Sequence, residues 1–396
     1  MREAVIIDAV RSAGGRSKKG GLASTRPDEF GIQVIKGLLA RHPQLDSNDI
    51  DDIIAGCAFP EGEQGMQIGK VLAVGAGLPE PVSGMTINRL CSSGVQAIAD
   101  ATAKITMGWS DVIIAGGVES MSRIPMGGNV VRPMFDWPGN LPWVYISMGM
   151  TAENIAMNYK ISREDMDAMG MESNRRAHEA IKAGKFKDEI IPINANKYKV
   201  DKKGNYVRET FVFDTDDGVR WPVTLEEMAR LKSPFKVGGN VTAANSSQTT
   251  DGAAFALVME AQKAKAAGLK PMAKLTHFAV AGCKPEEMGV GPRYAIPKVL
   301  KQAGLQSKDI DLFEINEAFA SQALYSIREI GIEDRLKAGD INPNGGAIAL
   351  GHPLGASGAK LTAQLLHEMK RRQSKRGIVS MCIGGGMGAA AIFEMM

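Results

Sequence analysis

Short runs rich in β-branched residues alternate along the chain with longer stretches of helical periodicity. Ala4 to Ile7, Asp52 to Ala55 and Val112 to Ala115 have the length and composition of buried strands. Between the first two, apolar residues from Phe30 to Leu39 recur at the spacing of one helix face. This alternation predicts βαβ units and an α/β fold whose sheets are largely parallel.

The alternation returns after about residue 270, where Tyr294 to Leu300 predicts a helix and Gly377 to Met381 a closing strand. The returning segment also repeats an earlier template. Leu45 to Pro60 (LDSNDIDDIIAGCAFP) and Leu305 to Ala320 (LQSKDIDLFEINEAFA) are identical at 7 of 16 positions without a gap, at a constant offset of 260 residues. Chance rarely produces such a match, so we predict a duplicated unit.

The duplication extends to two turns that carry reactive side chains. Three residues around Cys91 recur around His352 at a similar offset: Leu90/Leu354, Ser93/Ser357 and Gly94/Gly358. Duplicated units usually pack about a pseudo-twofold axis, so we expect these two turns to meet. A cysteine and a histidine that converge in this way suggest an activated thiol nucleophile.

A long segment without a counterpart in the second half interrupts the pattern. Prolines and aromatic residues concentrate from about Ser122 to Val241, and this segment is best interpreted as an insertion that rejoins the first half near Thr242 to Glu260. We therefore predict an N-terminal half of residues 1–121 and 242–270, an inserted domain of residues 122–241, and a C-terminal half of residues 271–396. Long insertions on a rigid scaffold commonly bind ligands, although a structural lid or an oligomerisation arm fits the same pattern.

Composition narrows the class of protein. With 44% hydrophobic residues, 45 glycines and 23% charged residues, the chain is typical of globular α/β proteins. Basic and acidic residues nearly balance, 47 against 44, which does not favour nucleic acid as a partner. No apolar stretch reaches transmembrane length, and the early run from Ala4 leaves no room for a signal peptide. Four scattered cysteines lack disulfide or metal-site spacing, so we expect a reducing, cytoplasmic compartment and no metal: Cys57, Cys91, Cys283 and Cys382.

Cys91 precedes a helical stretch in which Val95, Ile98 and Ile105 share one face. A thiol at a helix N-terminus faces free backbone N–H groups and the positive end of the dipole, which favour the reactive thiolate. A buried structural cysteine is the alternative from this local context alone.

His352 lies in a glycine-rich segment, Gly345 to Gly358, beside Pro353. The glycines indicate unusual turns and close backbone approach. A phosphate-binding loop is the rival interpretation, but the segment lacks the Gly-Lys-Ser/Thr ending and does not open a βαβ nucleotide unit. We interpret the other histidines as structural or solvent-facing.

Two further motifs complete the candidate chemistry. Cys382 ends an apolar run and enters the glycines from Gly384 to Gly388, where a thiol could exchange protons or simply be structural. Asn316 and Glu317 place polar groups where the first copy of the template has Gly56 and Cys57. A polar replacement in only one copy of a repeat hints at function.

Together, NRLCSSG around Cys91, NEAFA from Asn316, GHPLGASGA from Gly351 and CIGGGMG from Cys382 resemble the thiolase family over almost the full chain. The resemblance implies two related, mixed five-stranded sheets layered between helices in an αβαβα arrangement, with a loop domain over the active site. The independent evidence for duplication agrees with it.

The resemblance also implies roles for five residues. Cys91 would be acylated, His352 would activate it, and Cys382 would move the proton at the substrate α-carbon. Asn316 would position a water that forms one oxyanion hole with His352, and the N–H groups of Cys91 and Gly384 would form a second. Two separate pairs of donors suit a two-stage acyl transfer with ping-pong kinetics.

The resemblance also implies that coenzyme A and acyl-CoA are the substrates and that no cofactor is permanently bound. Seven contacts are expected, namely apolar walls at Met148, Phe235, Met288 and Phe319, a pantetheine strand with Ala243 and Ser247, and a nucleotide contact at Arg220. Aromatics of the insertion either line a pocket for bulky acyl groups or pack the loop domain: Phe135, Trp137, Trp143 and Tyr145.

The reaction that the resemblance implies is thiolytic cleavage of 3-ketoacyl-CoA in β-oxidation. The enzyme would be a homodimer or a homotetramer, and it could also form a complex with a β-oxidation hydratase/dehydrogenase. Acetoacetyl-CoA-forming thiolases commonly have a histidine where this chain has Ser147, which favours the degradative type. A condensing 3-ketoacyl synthase is disfavoured by Asn316 and Cys382, and a non-catalytic acyl-CoA-binding protein could dispense with the reactive thiols.

Overall fold

One mixed sheet joins the two halves of the chain in the computed structural model, which describes residues 2–134 and 142–396. The strands are β1 (Ala4–Arg11), β2 (Gly15–Arg16), β3 (Asp52–Gly56), β4 (Ser83–Ile87), β5 (Val112–Ser120), β6 (Ile193–Val200), β7 (Tyr206–Phe213), β8 (Thr250–Glu260), β9 (Ala273–Gly282), β10 (Leu312–Ile315), β11 (Arg376–Ile383) and β12 (Met387–Met395). The order in the sheet is β10-β11-β12-β9-β1-β8-β5-β3-β4, with β2 beside β8, while β6 and β7 form a separate hairpin.

Helices cover both faces of this sheet. They are α1 (Pro27–Ala40), α2 (Ile68–Ala76), α3 (Ser93–Thr106), α4 (Met148–Asn158), α5 (Arg163–Lys182), α6 (Leu225–Ala229), α7 (Ala261–Ala266), α8 (Gly291–Ala303), α9 (Ala320–Glu329), α10 (Glu333–Ala338), α11 (Ala347–Leu350) and α12 (Ser357–Arg372). Within the described ranges, no helix combines the length and apolar character needed to cross a membrane.

The predicted duplication is confirmed by matching elements in the two halves. The template segments form equivalent 3₁₀ turns, Ser47–Asp49 and Ser307–Asp309, which lead into β3 and β10. The halves meet where β1 pairs with β9 in antiparallel fashion at Ile6 and Ala273. The N-terminal half has five strands in the order β4-β3-β5-β8-β1, whereas the C-terminal half has four, and a single bridge between Phe313 and Ile341 occupies the fifth position.

Alternate residues of each strand face different helix layers, because the side-chain period of a strand is two. Val112 and Ile114 of β5 pack in an outer core with α1 and α2. Ile113 and Ala115 pack instead in a central core with α3 and α12, which β11 and β12 also contact. A second outer core contains α8 and α9. The result is the layered αβαβα arrangement.

The prediction of largely parallel sheets is wrong. Among the strands of the described residues, only β3–β4, β3–β5 and β10–β11 pair in parallel, because β8 and β12 run antiparallel to their neighbours. The strand formed by Gly377 to Met381 is also not the last one. Gly385 and Gly386, with φ of +81° and +91°, turn the chain tightly after β11, and β12 runs back beside it.

The inserted segment contains α4 to α6 and the β6–β7 hairpin. It also contacts the main sheet, since Ile190 bridges Arg11 at the end of β1. We propose residues 1–121 with 242–270, 122–241 and 271–396 as the three parts of the chain.

Candidate active site

A constrained turn presents Cys91. The cysteine lies in the 3₁₀ turn Leu90–Ser92, immediately before α3. Leu90 has a left-handed φ of +46°, and its N–H donates to Oδ1 of Asn88 at 2.8 Å. The Ser93 hydroxyl donates to the Leu90 carbonyl at 2.7 Å and accepts from the Arg89 N–H at 2.9 Å. These bonds hold a backbone conformation that a leucine seldom adopts.

The Cys91 thiol is protonated in the free protein. Burial raises its pKa to about 11, and the charge of Glu119 acts in the same direction. The N–H groups of Gly384 and of Cys91 itself donate to the sulfur and partly oppose this rise. These donors thus act in the direction expected at a helix start, but burial outweighs them and keeps the net pKa raised. The thiol needs a base.

His352 is buried, and its Nε2, which holds a lone pair, is the candidate for that base. Its Nε2 lies 3.3 Å from Nδ2 of Asn316, an amide nitrogen that can only donate, so Nε2 holds a lone pair. Nδ1 then carries the proton and donates to the Ser357 hydroxyl at 2.5 Å, which in turn donates to the Pro353 carbonyl at 2.9 Å. Burial, and then the charge of Lys360, lower the pKa of His352 to about 3. The imidazole is neutral.

The two turns meet, as the duplication predicts. The 3₁₀ turn Leu354–Ala356, which follows His352, packs against the turn of Cys91. Leu354 and Cys91 share a small apolar cluster with Ala58 and Met121. The pseudo-twofold axis thus brings the nucleophile candidate and the base candidate to one place.

Two parallel strands deliver the remaining polar candidates. Asn316 directly follows β10, and its N–H donates to the Ser380 carbonyl of β11 at 2.9 Å. Cys382 lies near the end of β11, fully buried, and Gly384 follows. Burial raises the pKa of the Cys382 thiol well above its ordinary value, and the proximity of Cys91 raises it further. Asn316 therefore lies beside His352, whereas Cys382 and Gly384 lie beside Cys91, and the turns of Cys91 and His352 are in contact.

The four predicted apolar walls are neighbours of these groups. Met148, Met288 and Phe319 belong to one core cluster with Cys382. Phe235 packs edge-on against Phe319, with ring centroids 6.1 Å apart and planes at 84°. These side chains are contributed by the inserted segment and by the C-terminal half.

A separate cavity of about 230 Å³ contains the other three predicted contacts. It is lined by Arg16, Ser17, Arg220, Ala243, Ser247, Gln248 and Thr249. Burial, and then the charge of Arg16, lower the pKa of Arg220. Among the described residues, neither arginine forms an ion pair with a carboxylate, so a bound anion would relieve their repulsion.

Comparison with known proteins identifies this arrangement. A family model for the thiolase N-terminal domain matches residues 4–262, and one for the thiolase C-terminal domain matches residues 269–395. The chain belongs to the thiolase family. This thiolase is 51% identical over 395 residues to the 3-ketoacyl-CoA thiolase of Bacillus subtilis (strain 168), covering 100% of both chains.

A plant relative and a solved structure agree. The chain is 44% identical to 3-ketoacyl-CoA thiolase 5, peroxisomal, of Arabidopsis thaliana, over 98% of this chain and 85% of that protein. The crystal structure of the Bacillus anthracis acetyl-CoA acetyltransferase superimposes with a TM-score of 0.87 at 36% identity, over 100% of this chain and 99% of that one. The thiolase fold is thus shown by both sequence and structure.

Two residues at the site of this thiolase were missed from the sequence. Ser357 accepts from the imidazole of His352, and its match to Ser93 in the duplicated template could have drawn attention to it. The carboxylate of Glu119 is buried next to both turns. An acidic residue near the end of the otherwise uncharged strand β5 is the sequence feature that could have indicated it. Their partners are set by tertiary structure.

The aromatic residues of the insertion remain an open prediction. Phe135 and Trp137 lie outside the described residues, as does the side chain of Trp143. Tyr145 is exposed, and its hydroxyl accepts from the Met134 N–H at 3.1 Å.

Proposed function

We propose that this thiolase cleaves 3-ketoacyl-CoA with free coenzyme A, releasing acetyl-CoA and a shortened acyl-CoA, as a step of fatty acid β-oxidation. The observation that carries the proposal is the packing of the turn that follows His352 against the turn of Cys91, which lies beside Cys382 and accepts N–H donors from itself and from Gly384. The names of the Bacillus subtilis and Arabidopsis relatives support the substrate class.

In the first half-reaction, Nε2 of His352 takes the proton of the Cys91 thiol. The sulfur attacks the 3-keto carbon, and the bond between C2 and C3 then breaks. The shortened acyl group remains on Cys91 as a thioester, and the electron pair stays on the departing acetyl-CoA as an enolate. Cys382, whose raised pKa keeps it protonated, donates its proton to C2.

Two sets of donors stabilise the negative charge that develops. The N–H groups of Cys91 and Gly384 point at the sulfur, where the oxygen on C3 becomes an oxyanion during attack. Protonated His352 and a water positioned by Asn316 would stabilise the enolate oxygen of acetyl-CoA. Each pair of donors serves a different carbonyl.

The second half-reaction restores the free enzyme. The Cys382 thiolate takes the proton of the coenzyme A thiol, and the resulting sulfur attacks the acyl-cysteine. The thioester bond to Cys91 breaks, and the cysteine recovers its proton from His352. Coenzyme A is therefore a substrate, and the scheme requires no permanently bound cofactor.

The two groups of binding candidates are assigned to opposite ends of the acyl-CoA. Arg220, with Arg16, suits the phosphorylated nucleotide, while Ala243 and Ser247 flank the pantetheine. The Ser247 N–H donates to the Ala318 carbonyl at 2.9 Å, and Ser246 forms an isolated bridge with Phe319, so this segment before β8 lies beside Phe319. Met148, Phe235, Met288 and Phe319 form apolar walls next to the reacting thioester.

The proposal also covers the oligomeric state of the enzyme and the compartment in which it acts. Strand β4 is the outer strand of the N-terminal half, and no described strand pairs with its free edge. An open edge of this kind supports a homodimer, or a tetramer built from such dimers. The four cysteines are free in the structure, which supports a reducing, cytoplasmic compartment. A complex with a hydratase/dehydrogenase is a further part of the proposal.

Mass spectrometry of the acyl-enzyme tests the central step. After incubation with a 3-ketoacyl-CoA and digestion, the shortened acyl mass is expected on the peptide with Cys91. Cys91→Ala should abolish the label, whereas Cys283→Ala should retain it. Labelling confined to Cys382 or Cys57 would contradict the scheme.

A panel of 3-ketoacyl-CoA substrates of increasing chain length tests the substrate class. Loss of 3-ketoacyl-CoA absorbance is expected with medium and longer chains. Cleavage confined to acetoacetyl-CoA would favour the acetoacetyl-CoA-forming type instead, which Ser147 disfavours. Binding of acyl-CoA without turnover would indicate a non-catalytic binding protein.

A further inference from the structure

The carboxylate of Glu119 lies beside the site but has no part in the proposed chemistry. It is buried at the end of β5. One oxygen accepts from the N–H of Ala58 at 2.7 Å and from the N–H of Gly355 at 2.8 Å. The other accepts from Nε2 of Gln64 at 2.5 Å and from the N–H of Phe59 at 3.4 Å. Four N–H donors therefore converge on one side chain.

These donors belong to both halves of the duplicated fold. Ala58 lies near the end of the first copy of the template, whereas Gly355 lies in the 3₁₀ turn after His352, and the two are 61 and 236 residues from Glu119. Gly355 approaches so closely that a Cβ there would lie 2.7 Å from the carboxylate and 2.6 Å from Cα of Cys57. The carboxylate thus joins the two halves at the pseudo-twofold axis.

The second copy of the template offers an internal comparison. Glu317 stands at the template position of Cys57, and its buried carboxylate accepts from Ser173, Asn342 and the N–H of Ile348. Those partners lie in the insertion and in the C-terminal half. Of these two carboxylates, only Glu119 bonds to the 3₁₀ turn that follows His352.

We propose that Glu119 is a positioning residue, which holds the turn after His352 against the strand end beside Cys91 so that base and nucleophile keep a fixed separation. The inference rests on the proposed acyl transfer for its effect on turnover. The four N–H groups and the Cys57 thiol, whose Sγ lies 3.7 Å from Oε1, all donate, so only an acceptor on both oxygens satisfies them. A glutamine would turn an NH₂ group toward N–H donors and release one side of the junction.

The charge of Glu119 gives the proposal a second, independent signature. The titratable groups around this junction are Cys91, Glu119 on β5, Cys382 on β11, Cys57 after β3, and His352 before the contacting 3₁₀ turn. Burial raises the pKa of both other thiols and lowers that of His352, so these three are neutral at neutral pH. Burial also raises the pKa of Glu119, whereas the N–H groups that donate to its carboxylate lower it and favour the charged form. Glu119 raises the pKa of the Cys91 thiol, and its removal should therefore make the thiol easier to ionise.

The test compares Glu119→Gln and Glu119→Asp with Glu368→Gln as a control. Glu368 is also a buried carboxylate, but its partners are Asn344, Arg371 and Arg372, away from the turns. Turnover of a 3-ketoacyl-CoA and the pH dependence of Cys91 alkylation by iodoacetamide are measured for each folded variant.

For Glu119→Gln, kcat should fall on the order of 10²-fold, with KM for coenzyme A little changed, since a displacement of about 1 Å is enough for such a loss. The midpoint of alkylation should at the same time move to lower pH. Glu119→Asp keeps the charge but shortens the reach, so it should keep the midpoint and still lose kcat. Glu368→Gln should change neither.

Near-normal kcat in Glu119→Gln, or an unmoved alkylation midpoint, would overturn the proposal. A loss of kcat that Glu368→Gln shares would also do so, because it would indicate general destabilisation. Alkylation requires no acyl-CoA. If the wild type cleaved no 3-ketoacyl-CoA, the proposed function would fail, while the alkylation midpoints would still decide whether Glu119 acts on Cys91.

Discussion

Burial keeps all three titratable side chains of the proposed mechanism uncharged in the free protein. It raises the pKa of Cys91 and Cys382 and lowers that of His352. An ion pair between Cys91 and His352 would then form only as the substrate carbonyl develops charge beside the N–H donors, which is where such donors are most effective. The motifs predicted these residues, but not their protonation, since desolvation depends on the packing of distant segments.

The lowered pKa of His352 predicts a specific loss of stability in acid. In the unfolded chain a histidine binds a proton below about pH 6.5, whereas His352 in the native protein remains neutral down to about pH 3. The unfolded state therefore gains protons first, and stability falls as the pH drops through this window. By pH 5 the wild type should lose about 2 kcal/mol more unfolding free energy, relative to pH 7, than His352→Asn loses.

Urea unfolding at the two pH values measures this difference. His178→Asn serves as a control at a partly exposed histidine, and its pH dependence should follow that of the wild type. Parallel losses in the wild type and His352→Asn would mean that His352 is not held neutral.

At the scale of elements, the site depends on how closely α3 and α12 approach each other. A Cβ on Gly94 would lie 2.7 Å from the Ala359 nitrogen, and one on Gly358 would lie 2.3 Å from the Val95 nitrogen. Because both positions are glycine, the start of α3, just after Cys91, can contact the start of α12, which follows His352. The template predicted this pairing of turns. The direction of β8 and β12 was not predicted, because a buried apolar run gives no sign of whether its neighbours are parallel or antiparallel.

Gly358→Ala should therefore separate the two helix starts. We expect a loss of about 1–3 kcal/mol in unfolding free energy, typical of overpacking, and a fall in kcat larger than the change in KM. Gly282→Ala is the matched control, since the nearest atom to its new Cβ would be 4.0 Å away. Thermal unfolding and steady-state kinetics measure both effects. Equal behaviour of the two variants would argue against close helix contact as a requirement.

At the scale of the whole molecule, a buried ionic cluster ties the insertion to the main sheet. Arg11, at the end of β1, donates to Glu189 at 2.7 Å and to both oxygens of Asp216 at 2.8 and 2.9 Å. All three side chains are buried. The partners lie 178 and 205 residues away, so no local sequence pattern could indicate them. Asp216 also accepts from the Gly14 N–H at 2.7 Å, which fixes the chain beyond β1.

Removal of Arg11 would leave two buried carboxylates without the cation that is hydrogen-bonded to them. Breaking such a pair typically costs about 3–5 kcal/mol, so Arg11→Met should lower the unfolding free energy by that amount. The exposed pair between Arg230 and Glu226 provides the control, because Arg230→Met should change stability far less. Urea unfolding at neutral pH measures both variants. The cluster anchors the insertion that contains Met148 and Arg220, so Arg11→Met should also raise KM for coenzyme A. An unchanged KM would mean that apolar contacts hold the insertion in place instead.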